Sequence, residues 1–159
     1  MKGINWKRVI VGGLVAGAVV NLSQILLNAI VFARESEEAM KRMNLEPAAG
    51  VAIAVFLIDT FLVGIVIVWL YAAIRPQYGS GPKTALLVGL VMAFLMRIIP
   101  SINFGALGMF PKSLLLVAGL WGLMEIVLAA ALGSLIYKVA GNLVAPSAAS
   151  GEIHIDAAR

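Results

Sequence analysis

Apolar residues run in four long blocks: Val9 to Phe32, about Ala48 to Ile74, Thr84 to Ile99, and Ser113 to Tyr137. Crossing a hydrocarbon core of about 30 Å takes about 20 helical residues. Three blocks reach that length and leave room for tilt. The third has 16 residues before Pro100. Beyond it, Ile102, Phe104, Leu107, Met109 and Phe110 keep the chain apolar, while Pro100, Gly105, Gly108 and Pro111 argue against one straight helix. A kinked end or a short re-entrant turn is expected there. The pattern predicts an all-α integral membrane bundle of four transmembrane helices with short loops, filling residues 1–140. From Gly141 to Arg159 the chain is rich in Ala, Ser and Gly and has no apolar period, which predicts a flexible polar tail. The one histidine, His154, falls in that tail and reads as solvated.

Within the blocks, small and polar residues recur at helical spacing. Lipid does not drive apolar helices together, so such residues mark the faces that meet protein. Gly13, Gly17, Asn21, Gln24 and Asn28 follow steps of four, four, three and four, one face of the first helix. Gly13 and Gly17 form a GxxxG pair. In the third helix Ala85, Gly89, Ala93 and Arg97 follow steps of four. In the fourth, Ala118, Gly122, Glu125, Ala129 and Gly133 make another stripe. The second helix is less marked: Ala52, Phe56, Asp59 and Val63 share a face, with Thr60 and Gly64 beside it. Helix packing is therefore assigned to Gly13, Gly17, Gly89, Ala93, Gly122, Ala129 and Gly133.

Three ionisable residues, Asp59, Arg97 and Glu125, lie inside these blocks. Insertion scales put such a residue at a helix centre at about 2.5–3.5 kcal/mol, so each should face protein or water and have a partner. At about 1.5 Å per residue, Asp59 lies about 17 Å into the second helix and Glu125 about 18 Å into the fourth. Arg97 lies about 20 Å from the start of the third, with a stem long enough to reach either acid. The sequence thus predicts one buried polar seam of Asp59, Arg97, Glu125, Asn21, Gln24 and Asn28. Its role is open between an internal staple and a proton or solute site. One base with two acids leaves an odd carboxyl whose proton affinity burial should raise. Asp59 also lies twelve residues before Tyr71, and Glu125 twelve before Tyr137, an echo that the first and third helices do not share.

Composition agrees with the pattern. Of 159 residues, 62% are hydrophobic and 13% charged, against about 45–50% and about 25% in soluble domains. The absence of cysteine excludes disulfides and thiolate ligands. The net charge of +4 comes from bases scattered at block ends, as membrane flanks, so no nucleic-acid partner is expected. A first block of 24 residues is too long for the 7–15 or so of a signal-peptide core, so it reads as a retained helix.

Leaving Arg97 aside, Lys2, Lys7, Arg8, Arg75, Lys83, Lys138 and Arg159 fall on one side of a four-span chain and Arg34, Lys41, Arg42 and Lys112 on the other. Seven against four predicts cytoplasmic termini. The loop Ala33 to Pro47 then lies outside, as a short surface helix capped by Ser36, with Met40, Met43 and Leu45 dipping into the interface. Trp6, Trp69, Tyr71 and Tyr137 fall near predicted interfaces and Trp121 deeper.

Other chemistry finds little support. There is no His/Cys/carboxylate cluster for a metal and no H-E-x-x-H, and no cofactor is implied. Gly79-Ser80-Gly81 lacks the strand and helix of a phosphate cradle and reads as a turn.

The layout resembles small bacterial four-helix membrane families that carry only a domain-of-unknown-function label. The resembling strings are Asn5-Trp6-Lys7-Arg8-Val9, Trp69-Leu70-Tyr71-Ala72-Ala73-Ile74-Arg75-Pro76, and the run from Pro111 to Tyr137. The resemblance implies a bacterial inner-membrane protein and brings no activity or site residues. Small multidrug exporters are similar in size, but their key Glu sits in the first helix, where this chain has only amides. The leading expectation is a non-catalytic accessory or structural membrane bundle in the lipid bilayer, with a homo-oligomer or membrane-complex partner reached through exposed small-residue ridges. The alternatives are an oligomeric proton-coupled transporter or permease using the intramembrane carboxylates, and an intramembrane enzyme.

Overall fold

The computed structural model describes residues 3–42, 44, 46 and 49–142; the expected tail beyond Asn142, with His154, and the side chains of Met43 and Leu45 lie outside them. The described residues form six α-helices and no strand: α1 (Trp6–Leu27), α2 (Ala33–Arg42), α3 (Val51–Tyr78), α4 (Pro82–Ala93), α5 (Ile99–Ala106) and α6 (Lys112–Asn142). A π turn, Asn28–Phe32, joins α1 to α2, and another, Phe94–Ile98, joins α4 to α5. Four helices are long and apolar enough to cross a membrane, over Trp6–Ile30, Val51–Tyr78, Pro82–Ala106 and Lys112–Ala140. The fold is the expected all-α four-helix bundle of a multi-pass membrane protein.

The third span differs from expectation. It does not break at Pro100 but continues helical to Ala106, giving 25 residues instead of 16. The π turn explains this. Proline in a helix removes a hydrogen bond and drives its ring against the preceding turn. Here the turn before Pro100 is already widened, with the Ile99 N–H bonding back to the Phe94 carbonyl. Pro100 therefore opens α5 as a first-turn proline, where its missing N–H costs little.

The surface helix after α1 also differs in detail. Because the chain is helical without interruption from Trp6 to Arg42, position 36 lies inside α2 and not at a helix start. α2 carries an exposed Glu37–Lys41 pair at 2.7 Å. Each partner holds the other charged, Glu37 below and Lys41 above their ordinary ranges. Such exposed pairs add little stability.

Around the bundle, α1 packs on α3 and α6, and α4 packs on α6 and α3; α3 and α6 also meet across the middle. The tightest crossing uses glycine. A Cβ on Gly13 would lie 2.5 Å from Ile65 Cα, and one on Gly17 2.7 Å from Phe61 Cα. A Cβ on Gly133 would strike Val68 Cγ2 at 2.7 Å and the Gly12 carbonyl oxygen at 2.9 Å. Only side-chain-free positions admit backbones so close, the usual device where helices pack without a hydrophobic driving force. Gly13, Gly17, Gly89, Ala93, Gly122, Ala129 and Gly133 are all buried. These small residues thus pack against neighbouring helices of the same chain.

Toward the α1 start, Val9, Ile67, Val68, Tyr71, Ala72 and Tyr137 join one apolar core. Tyr71 and Tyr137 stack edge to face at 6.1 Å, with the Arg75 guanidinium 5.8 Å above the Tyr137 ring. Both tyrosines are enclosed by neighbouring helices, whereas Trp6 and Trp69 stay exposed. Thr84 closes the α3–α4 turn: its hydroxyl donates to the Tyr78 carbonyl at 3.1 Å and the Gly79 carbonyl at 2.8 Å.

Candidate functional site

Gln24, Arg97 and Glu125 converge from three helical segments. Glu125 is carried by α6 on its buried small-residue face, and its side chain is fully enclosed. Gln24, near the end of α1, donates through Nε2 to both carboxylate oxygens, at 3.0 and 3.1 Å. Arg97, inside the second π turn, donates through Nη2 to Glu125 Oε1 at 2.5 Å. One carboxylate thus ties α1, the α4–α5 span and α6 together. Opposite charge and several donors are the partners a buried carboxylate requires.

Gly122 explains how Arg97 gets there. A Cβ at that position would lie 2.6 Å from both Cγ and Cδ of Arg97. The glycine one turn before Glu125 is a slot for the arginine stem, which then turns its guanidinium onto the carboxylate. The π turn adds the second element. Widening a helix by one residue rotates the helical segment beyond the insertion, and such turns recur at functional sites. The first π turn begins at Asn28, four residues after Gln24, so both helices that donate to Glu125 are widened beside the site.

Arg97 lines two cavities. One, of about 240 Å³, also touches Gln24, Asn28, Ser101 and Phe104. The other, of about 150 Å³, is bounded by Asp59, Thr60, Val63 and Met96. The Arg97 side chain is 28% exposed, and its buried Nε makes no hydrogen bond.

The remaining predicted residues do not join the triad. Asp59 is exposed on the flank of α3. It shares the smaller cavity with Arg97, but its placement corrects the expectation of a buried acid. The reason is packing: every residue from Val51 to Asp59 is exposed, because the first turns of α3 stand clear of their neighbours. Asn28 is likewise exposed and donates through Nδ2 to the Gln24 backbone carbonyl at 2.8 Å, one turn back, rather than to Glu125. Asn21 is half-buried beneath the triad, with a buried Nδ2 that has no partner.

Sequence reasoning overlooked a second link beside the triad. Trp121 on α6 donates through Nε1 to Ser23 Oγ on α1 at 2.8 Å. Trp121 precedes Glu125 by four residues and Ser23 precedes Gln24 by one, so both contacts fall on the same α1–α6 seam once the register of the two helices is known. Among the described residues no group of three or more His, Cys, Asp or Glu could hold a metal ion. Comparison with protein families, curated proteins and solved structures finds no match to this chain.

Proposed function

We propose that the chain is an accessory or structural protein of the bacterial inner membrane, with both termini cytoplasmic, in which the Gln24–Arg97–Glu125 triad clamps three spans in register. One observation carries this reading: the enclosed Glu125 accepts from α1 and from Arg97 at once, so neither helix can slide without stripping a buried carboxylate. Registry is the best-attested use of such groups. The discriminating experiment replaces Arg97 by Met and Glu125 by Leu, singly and together, and follows thermal unfolding in detergent. Under the clamp reading each single change destabilises strongly and the pair restores much of the loss. An additive double variant would sink it.

A second reading, a proton-coupled transporter or permease, draws on a different observation. Arg97 stands between two cavities, and the smaller one has Asp59 at its rim. An arginine that touches one acid and shares a cavity with the other has two carboxylates to exchange between. Proteoliposomes loaded with a pH-sensitive dye separate the readings. Transport requires that Glu125→Gln or Asp59→Asn alter proton or solute flux, whereas the clamp predicts equal flux in both variants and the parent.

A further inference from the structure

A larger cavity lies away from the triad, between α4 and α6 at the end of the bundle where α1 begins. Its volume is about 500 Å³. Its α6 wall is graded. Lys138 stands at the mouth, Ser134 about 6 Å deeper, and Ala131 and Val127 about 10 and 16 Å deeper along the same helix. Lys83, in the first turn of α4, faces it from the opposite wall, and Tyr71 reaches it from α3.

Two facts lift this groove above an ordinary seam between helices. The Ser134 and Tyr71 hydroxyls are both buried without a hydrogen-bond partner, in residues only 2% and 0% exposed. A buried hydroxyl left unpaired costs on the order of 1–3 kcal/mol in a folded protein, so two in one groove imply something that accepts from them. The second fact is charge. Lys7, Arg8, Arg75, Lys83 and Lys138 all lie at this end of the bundle, and no Asp or Glu among the described residues does.

We infer that this groove holds an anionic phospholipid. The phosphate sits between Lys83 and Lys138. The Ser134 and Tyr71 hydroxyls stand just behind the groove wall one turn deeper, and the glycerol ester carbonyls accept from them as the lipid presses the wall apart. One acyl chain lies over Ala131 and Val127. The order of charge, then hydroxyl donors, then apolar wall matches a lipid's order of phosphate, ester and chain. Each part of the ligand meets its complement, which a bare lysine flank would not provide. The assignment does not use the triad and does not depend on its role.

Native mass spectrometry of the full-length detergent-solubilised chain tests it, with dioleoylphosphatidylglycerol and dioleoylphosphatidylcholine as probes. The glycerol lipid should be retained about 30-fold better, the preference two juxtamembrane lysines supply. Lys83→Gln with Lys138→Gln should reduce that preference to within about twofold, while Lys7→Gln with Arg8→Gln, at the same end but outside the groove, should leave it intact. Ser134→Ala should weaken retention about fivefold, as for one lost neutral hydrogen bond. Ala131→Phe should abolish retention with all lysines present, because its side chain projects into the groove from an exposed position. If that variant fails to fold, Leu135→Trp on the same rim blocks the groove instead. Equal retention of the two lipids would overturn the inference, as would survival in a blocked groove that still folds, or equal loss in the Lys7/Arg8 control. Complete displacement by inorganic phosphate would also overturn it, since the site would then read phosphate alone.

Discussion

The two ends of the bundle are built on different principles. Where α1 begins, α1 crosses α3 and α6 with backbones touching, through Gly12, Gly13, Gly17, Gly64 and Gly133, beside an apolar core; the groove of about 500 Å³ at the same end lies between α4 and α6, outside that crossing. Toward the α2 end, two helices widen into π turns, the first turns of α3 stand exposed, and Arg97 lines cavities of about 240 and 150 Å³. In the tight half the crossing is held by shape. In the open half Gly122 receives the Arg97 stem instead of a facing backbone, and a charged triad joins the helices. Polar bonds inside this bundle thus stand where backbone contact gives way to side chains.

The largest expected effect comes from cutting that span. Replacing Arg97 by Met leaves the enclosed Glu125 with only Gln24. Stripping the partner from a buried charge costs 3–5 kcal/mol or so in water-soluble proteins, and separated helices in a membrane recover part of that, so a loss of about 3 kcal/mol is expected. Adding Glu125→Leu should recover most of it, since no charge is then left unpaired. Reversible unfolding in mixed detergent measures both.

A tight-half change should come next. A Cβ at Gly64 would lie 2.9 Å from Gly17 Cα, with backbone on both sides and nothing able to yield. Overpacking of this kind costs about 1–3 kcal/mol, so Gly64→Ala should destabilise by about 2 kcal/mol. Gly122→Ala meets the Arg97 stem at 2.6 Å instead, a flexible chain beside an open cavity. It should cost visibly less than Gly64→Ala. If the order is reversed, the division into a rigid half and a yielding half is wrong.

Gln24→Leu removes a single interhelical donor and leaves Arg97 in place. Bonds of this kind average about 0.6 kcal/mol in membrane helices and up to 1.7 or so, and this one meets a charge, so about 1 kcal/mol is expected. A loss as large as that of Arg97→Met would show the amide, not the guanidinium, to be the main tie.

Much of this contrast can be read in the chain. The ridges of α1, α4 and α6 are visible because glycine and alanine recur at helical steps, and Gln24, Arg97 and Glu125 lie on them. Asp59 escaped because α3 has a single glycine to mark its packed face. Its buried side runs through Gly64, Val68 and Tyr71. Asp59 lies five residues before Gly64, hence about 140° around the helix from it. Depth alone made it resemble Glu125; direction separates them, and direction requires knowing which face packs. Pro100 misled for a related reason. Proline normally ends or kinks a helix, and the π turn that accommodates it depends on the surrounding packing and leaves no residue signature. The Ser23–Trp121 bond needed the α1–α6 register, which only the assembled bundle supplies.

Asp59 gives the smallest effect and the sharpest test of the division. It is exposed in the bundle, and it is equally exposed when α3 stands alone in a membrane, so its cost is the same on both sides of the unfolding equilibrium. Asp59→Asn should therefore change stability by less than about 0.5 kcal/mol, the range for substitutions that break no contact. The measurement is the same unfolding curve used for Arg97→Met. The expected result is two superimposable curves for the parent and the variant. A drop as large as that of Gln24→Leu would have one physical meaning. It would show Asp59 attracting Arg97 across their shared cavity, and the open half would then hold a second acid for the same base.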